Sequence, residues 1–201
     1  SGTRIDATGR SGNDLTDNNT VTQNPGLVGN AAQFTAANSE YLSVADNADI
    51  STGDIDWEIV LSCYPDSSVL DKGLISRDAT GQMEYSAYIL GSNNTLNFAF
   101  ANVTNLFTTD TVTNAAWNMV DFYFDAGGNS RGISINNGTF LTATENNAGI
   151  NGTGALEIGR QGGATYMNGR IDAVGFWKRL LTTAERTFLY NGGNGREYPF
   201  A

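Results

Sequence analysis

The sequence has no histidine, one cysteine and three prolines among its 201 residues. Without histidine, the chain has no Ser-His-Asp or Cys-His catalysis, no imidazole zinc site and no histidine pH switch. The single cysteine, Cys63, cannot form an internal disulfide, and its place in the apolar run IVLSCY favours a buried side chain over a reactive thiol. No apolar run approaches the ~20 residues of a membrane span, and the opening SGTRIDATGR contains no signal peptide.

Positive charge is also scarce. Lys and Arg total 11 against 21 Asp and Glu, which gives a formal net charge of −10. Such a surface repels phosphate, so we expect no nucleic-acid partner and no membrane insertion. The same acidity is compatible with binding of a divalent cation.

Glycine is abundant, with 24 residues, and turn signals separate short apolar segments along the whole chain. Those segments alternate with period two or form short apolar runs, which predicts β-strands. They are AAQFTA, YLSVA, WEIVLSCY, GLISR, EYSAYIL, TLNFAFA, WNMVDFYFD, RGISINNG, ALEIGR and GRIDAVGFWK. Their spacing of roughly 8–14 residues is typical of an all-β, two-sheet antiparallel jelly-roll sandwich. Two tryptophans, Trp57 and Trp117, are expected to pack in its core.

One short helix is predicted near the C-terminus. Thr182 and Glu185 have the spacing of a capping box, in which each side chain satisfies a backbone N–H of the other residue. The segment TAERTFLY follows, and Gly192 is placed to close the helix in a left-handed conformation. We expect this helix to pack on the sandwich.

Seven segments occur in the order found in a known family. They are RIDATGRSGNDL, GNAAQFTAANSEYLSVADNADI, DWEIVLSCYPDS, TNAAWNMVDFYFD, GISINNG, LEIGR and MNGRIDAVGFWKRLLTTAE. Together they resemble the laminin-G-like branch of the concanavalin A-like lectin/glucanase superfamily. The resemblance implies a single domain over residues 1–201 whose concave sheet binds sugars. It also implies a first strand before the SG at which this chain begins, so we expect a neighbouring strand to lack its partner.

The stretch GDIDWEIVL carries acids at alternate positions, Asp54, Asp56 and Glu58. It nearly matches the Glu-x-Asp-x-Glu signature of the glycosidase relatives, with Asp54 replacing the first Glu. Residues i and i+4 of a strand start ~13 Å apart, whereas retaining glycosidases hold their carboxyls ~5–5.5 Å apart, so the shorter Asp54 widens the gap. Structural or solvated acids are therefore favoured, and a glycoside hydrolase using Asp54 and Glu58 is the alternative.

Asp172, in GRIDAV, matches a position at which the glucanase relatives hold a structural calcium. Calcium takes about six to eight oxygen ligands, and this segment offers one carboxylate. The turn at Gly29 and an opening loop with Asp6, Asn13 and Asp14 offer further oxygens. A structural calcium at Asp172 is thus a hypothesis. The alternative is that Asp172 hydrogen-bonds a neighbouring turn.

Polar side chains alternate with apolar ones in three predicted strands. The candidate ligand-binding residues are Glu84, Tyr88, Asn97, Asp121 and Tyr123. If these polar sides share the concave face, they make a surface of tyrosine rings, amides and carboxylates that suits a sugar. The alternative is an ordinary solvated sheet face.

The sequence as a whole favours non-catalytic carbohydrate recognition by a module of a larger extracellular, cell-surface or virion protein, with a glycan or polysaccharide as partner. One alternative is a structural or adhesion module that contacts proteins through its rim or an open sheet edge. The other is the glycoside hydrolase. We expect no cofactor beyond the calcium hypothesised at Asp172.

Overall fold

A computed structural model describes residues 2–10, 12–102 and 106–198. The strands are, in chain order, β1 (Thr16–Asn18), β2 (Thr22–Pro25), β3 (Asn30–Phe34), β4 (Tyr41–Val44), β5 (Trp57–Pro65), β6 (Lys72–Arg77), β7 (Tyr85–Ile89), β8 (Thr95–Phe100), β9 (Leu106–Thr111), β10 (Asn118–Asp125), β11 (Ser130–Ile135), β12 (Leu141–Thr144), β13 (Leu156–Ile158), β14 (Arg160–Gln161), β15 (Thr165–Tyr166) and β16 (Gly169–Trp177). The front sheet has the order β1-β4-β13-β6-β7-β8-β9, the back sheet has the order β12-β11-β10-β5-β16-β3-β2, and β14 and β15 form a hairpin. With α1 (Thr183–Tyr190), this arrangement confirms the predicted antiparallel jelly-roll sandwich with one short C-terminal helix.

The side chains between the two sheets form an apolar core. On β5, Trp57, Ile59, Leu61 and Cys63 point inward and are fully buried, as alternation along a strand requires. The Trp57 ring lies 5.0 Å from the ring of Tyr85 in the front sheet, so it bridges the two layers. Burial raises the pKa of the Cys63 thiol to about 12, which confirms the prediction of an unreactive buried cysteine.

The helix α1 lies on the outer face of the back sheet, the face turned away from the core. The predicted capping box is confirmed, because the Glu185 N–H donates to the Thr182 hydroxyl and the Thr182 N–H donates to the Glu185 carboxylate. The helix ends at Tyr190 and is followed by two left-handed residues, Asn191 with a φ of 49° and Gly192 with a φ of 63°, so the predicted left-handed Gly192 is confirmed. Asparagine tolerates this conformation better than most residues. The apolar contacts under the helix involve Val60, Met119, Trp177, Leu181, Leu189 and Tyr190.

The sheets end on short or polar edge strands. The front sheet ends on β1 and β9, and the back sheet ends on β12 and β2. All four side chains of β2 are exposed. Such edges discourage pairing with another chain. No helix in the described part of the chain is long and apolar enough to cross a bilayer.

Candidate functional site

Asp54 and Glu58 of GDIDWEIVL do not form an open catalytic pair. Asp54 lies in a bend before β5, where it is exposed and accepts a hydrogen bond from the Gly149 N–H at 2.9 Å. Asp56 accepts one from the Ala126 N–H at 2.9 Å. Glu58 is fully buried on the outer face of the back sheet. Asp54 and Glu58 therefore lie in separate surroundings, and Glu58 is closed to a substrate.

Glu58 belongs to a buried charged cluster beneath α1. Arg186, on the helix, donates from Nε at 2.6 Å and from Nη2 at 2.9 Å to the two carboxylate oxygens of Glu58. The Leu181 N–H donates to Glu58 at 2.7 Å, and Asp121 Oδ2 lies 3.4 Å from Arg186 Nε. Burial and then the neighbouring Glu58 carboxylate raise the pKa of Asp121 well above its ordinary value, although Arg186 opposes this. The cluster fastens the helix to the sheet.

Glu84 takes part in a buried network at one rim of the sandwich. It pairs with Arg77 at 2.9 Å and accepts hydrogen bonds from the Thr52 N–H at 3.0 Å and the Gly152 N–H at 2.8 Å. Arg77 also pairs with Asp46. Glu84 thus holds rim loops together and does not lie on an open face, which corrects its predicted placement.

The other four predicted ligand-binding residues are divided between the two sheets. Tyr88 and Asn97 are direct register partners on the outer face of the front sheet, where Tyr88 is half-buried and Asn97 is buried. Asp121 and Tyr123 lie on the outer face of the back sheet, with the core between the two pairs. Alternation assigns a side chain to one face of its own strand and not to a particular sheet, so the expected common surface does not form. Ligand binding by Tyr88 and Asn97 stays a prediction.

Asp172 closes a turn in the back sheet. Its Oδ2 accepts a hydrogen bond from the Val28 N–H at 3.0 Å and its Oδ1 accepts one from the Ala173 N–H at 2.8 Å. Burial raises the pKa of Asp172 despite these donors. No cluster of three or more His, Cys, Asp or Glu residues suited to a metal occurs among the described residues. Calcium at Asp172 stays a prediction, which melting with and without a chelator tests.

An open cleft lies at the other end of the outer face of the back sheet, beyond α1. It encloses about 330 Å³. We call it the Arg170 cleft, and its main lining residues are Asn24, Gln33, Thr35, Tyr64, Asp66, Asn168 and Arg170. Arg170 on β16 has Gln33 on β3 and Tyr64 on β5 as its register partners, so the antiparallel pairing places these three side chains in one row. Tyr64 lies six residues beyond Glu58 on β5, a separation of ~20 Å.

Arg170 lies over two aromatic rings, of which Tyr64 lines the cleft and Trp117 supports it from outside. The Arg170 guanidinium carbon lies 3.9 Å from the ring centroid of Tyr64 and 5.3 Å from that of Trp117. The two rings meet edge to face at 5.6 Å, and Arg170 Nη1 donates to the Pro25 carbonyl at 2.7 Å. Trp117 is therefore half-buried on this surface, which corrects its predicted place in the core, whereas Trp57 lies in the core as predicted.

Amide and carboxylate groups form the wall of the cleft. Asn24 Nδ2 donates to Gln33 Oε1 at 3.2 Å, and Gln33 Nε2 donates to two backbone carbonyls. Asn168 donates to Asp66, whose Oδ1 also lies 3.8 Å from the buried Lys72 ammonium. The wall is thus held in place by its own hydrogen bonds, and the charge of Asp66 is balanced by Lys72.

Sequence reasoning missed this cleft because its residues come from four distant segments. Tyr64 and Arg170 stand at the ends of predicted strands, each next to a core residue, Cys63 and Ile171. Alternation alone would have placed both side chains on a face opposite the core. The strand order and register that bring them together cannot be read from the segments separately.

The fold has known structural counterparts, although no family model and no curated protein matches the sequence. The binding domain of Paraclostridial mosquitocidal protein 1 has a TM-score of 0.73 at 13% identity, over 89% of this chain and 47% of that chain. The binding domain of botulinum neurotoxin serotype G has a TM-score of 0.71 at 15% identity, over 91% of this chain and 47% of that chain. Domain 4 of AbnA, an extracellular GH43 arabinanase from Geobacillus stearothermophilus, was solved in complex with arabinotriose. It has a TM-score of 0.69 at 14% identity, over 87% of this chain and 85% of that chain. The chain spans about half the length of the two toxin structures, and at these identities the likeness shows the fold alone.

Proposed function

We propose that this chain is a carbohydrate-binding module that holds a glycan in the Arg170 cleft. The observation that carries the proposal is a hollow in which the Tyr64 ring and the Arg170 guanidinium lie among the amide side chains of Asn24, Gln33 and Asn168. Amide and guanidinium groups bond with the hydroxyls of a sugar, and the Tyr64 ring adds apolar contact area next to the guanidinium that lies over its face. The volume of about 330 Å³ is at the lower end of the range for ligand pockets, which suits about one or two sugar rings.

The structural neighbours support the broader proposal of a carbohydrate-binding jelly roll. One of them is an arabinanase domain whose structure contains arabinotriose, and two are binding domains of toxins. We further propose that the module acts outside the cell, on a cell surface or on a virion, where polysaccharides are exposed. This part of the proposal follows from the ligand class.

Binding to a glycan array in the presence of calcium tests the proposed site. We expect consistent binding to one sugar class, weakened about tenfold or more by Tyr64→Ala because the apolar contact of the ring and its support of Arg170 are lost. Tyr64→Phe keeps the ring and should retain most of the binding. Tyr123→Ala removes a half-buried tyrosine that packs on Phe140, elsewhere on the same sheet face, and serves as the matched control.

Each other outcome contradicts the proposal in a recognisable way. Loss of binding with Tyr88→Ala alone would move the site to the outer face of the front sheet. A concentration-dependent oligomer with no glycan binding would favour the protein-contact alternative. Hydrolysis of a β-glucan that Glu58→Gln abolishes would favour the glycoside hydrolase.

A further inference from the structure

The charge of Arg170 suggests which glycans the cleft takes. We infer that the ligand is an acidic glycan whose carboxylate or sulfate group pairs with the Arg170 guanidinium. This inference rests on the proposed function and adds the chemical class of its ligand.

Arg170 forms no ion pair with a carboxylate of the described residues. Its one hydrogen bond goes to the Pro25 carbonyl, although a guanidinium carries five N–H donors. Stacked arginines of this chain occur with and without an ion pair: Arg196 lies over Phe188 at 3.9 Å and forms no salt bridge with a described carboxylate, so what is particular to Arg170 is its place in a cleft. Arg160 stacks on Tyr41 at 4.6 Å and on Tyr166 at 5.6 Å, yet it also pairs with Glu157 at 3.0 Å.

The surrounding charges leave the position facing Arg170 open to an anion. A chain with 21 acidic residues has many groups that could neutralise an arginine. The carboxylate within the cleft, Asp66, instead accepts hydrogen bonds from Ser68 and Asn168 and lies beside Lys72. It is therefore occupied by partners other than Arg170.

The geometry of Arg170 suits recognition of two oxygen atoms at once. The guanidinium is a planar fork that bonds carboxylates and sulfates in pairs, and its stacking on Tyr64 and Trp117 limits its rotation before a ligand arrives. A pre-organised donor loses less entropy on binding. The net charge of −10 opposes non-specific attraction of acidic polymers, so a preference for them would have to arise locally.

An array of matched glycan pairs tests the inference. The pairs are galacturonate and galactose oligosaccharides, sialylated and unsialylated lactose, and sulfated and unsulfated lactose. We expect an acidic member to bind about tenfold more tightly than its neutral match, since hydrogen bonds to charged groups are the stronger ones. Preference confined to uronates and sialates would identify a carboxylate, and preference confined to sulfated sugars would identify a sulfate.

Substitutions locate the preference at Arg170. Arg170→Gln should bring the ratio of acidic to neutral binding to about one, and Arg170→Lys should keep part of the preference because the charge stays and the fork is lost. Arg196→Gln is the matched control, since Arg196 stacks on Phe188 at 3.9 Å outside the cleft and should leave the preference unchanged. Thermal melting of each variant checks that the fold is retained.

Two results would overturn the inference and leave the proposed function standing. One is equal or tighter binding of the neutral members by the wild-type chain, weakened by Tyr64→Ala. The other is an acidic preference that persists in Arg170→Gln. If the wild-type chain binds no member of any pair, the proposed function itself fails and the inference falls with it.

Discussion

Two arginines mark the two ends of one sheet face, and their surroundings differ. Arg186 lies under partial cover, with its side chain 15% exposed, and pairs with Glu58 and Asp121. Arg170, beside Tyr64 about 20 Å further along β5, stacks on aromatic rings and has no carboxylate partner among the described residues. Where carboxylates face the arginine, it fastens a helix to the sheet. Arg186 also lies over a ring, that of Phe140 at 4.7 Å, so the two arginines differ in having a carboxylate partner and not in having an aromatic one.

Arg186→Leu should cause the largest change. It leaves Glu58 as an unpaired buried charge, so we expect the free energy of unfolding to fall by about 3–5 kcal/mol. Arg170→Leu removes two ring contacts and one hydrogen bond without leaving a buried charge, and should cost less than about 2 kcal/mol. Urea denaturation of the two variants measures both values. Equal losses would abolish the distinction between the two arginines.

Asp121→Asn should change how stability depends on pH. Because the folded-state pKa of Asp121 is raised, its proton is held more tightly in the folded chain than in the unfolded one. The resulting stabilisation is present below the ordinary pKa of 3.8 and is lost as the pH rises through the folded-state pKa. The wild-type free energy of unfolding should thus decline as the pH rises from 3.8 to the folded-state pKa of Asp121, by at most about 1.4 kcal/mol per pH unit for this one group.

The variant should lack the share of that decline that belongs to Asp121, since asparagine does not titrate, and the difference between the two profiles in denaturation at a series of pH values checks this. Arg170→Gln is the control, because it lies outside the buried cluster and should keep the wild-type pH profile. Parallel profiles for the wild type and Asp121→Asn would contradict the assignment of the titration to Asp121.

Thr182→Ala should have a smaller effect. It removes the side-chain half of the capping box at the start of α1, so we expect a loss of about 1 kcal/mol in the free energy of unfolding. Thr182→Ser keeps the hydroxyl and should retain most of the wild-type free energy of unfolding. Glycan binding at the Arg170 cleft should be unchanged, and weaker binding would indicate that the cleft depends on the helix.

The smallest expected quantity is the coupling between the two ends of the face. Thr182→Ala and Tyr64→Ala should act additively on unfolding to within about 0.5 kcal/mol, because they lie far apart. A double-mutant cycle measures this. A larger coupling would point to Trp117, which contacts Arg170 and Tyr64 and also lines a cavity of about 60 Å³ next to Tyr190.

The predicted strands were confirmed where a strand faces the core on at least one side. All ten predicted segments contain strands, whereas the strands that were missed include β1, β2, β9 and β12. These four are the edges of the two sheets. The sequence TQNP has no apolar alternation, and LTAT alternates over only four residues, too few to stand out. Edge strands are held by backbone pairing and need no apolar face, so hydrophobic periodicity does not detect them.

The candidate site was less predictable than the fold. Alternation placed Asp121 and Tyr123 opposite the core, as the structure has them, but it gave no sign that α1 covers Asp121. In the same way, nothing local separates Glu58 from an exposed strand acid, because its partner Arg186 is 128 residues away. Burial by a distant element depends on strand order and tertiary packing, which periodicity does not encode.

The buried Cys63 has a practical consequence for measuring ligand binding. It is the single thiol of the chain, and with a pKa of about 12 it stays protonated and unreactive at neutral pH. An Asn24→Cys substitution at the mouth of the cleft would therefore react alone with a maleimide dye, without removal of the native cysteine. The labelled chain would report occupancy of the cleft by fluorescence, and the same attachment point would fix every molecule on a sensor surface in one orientation.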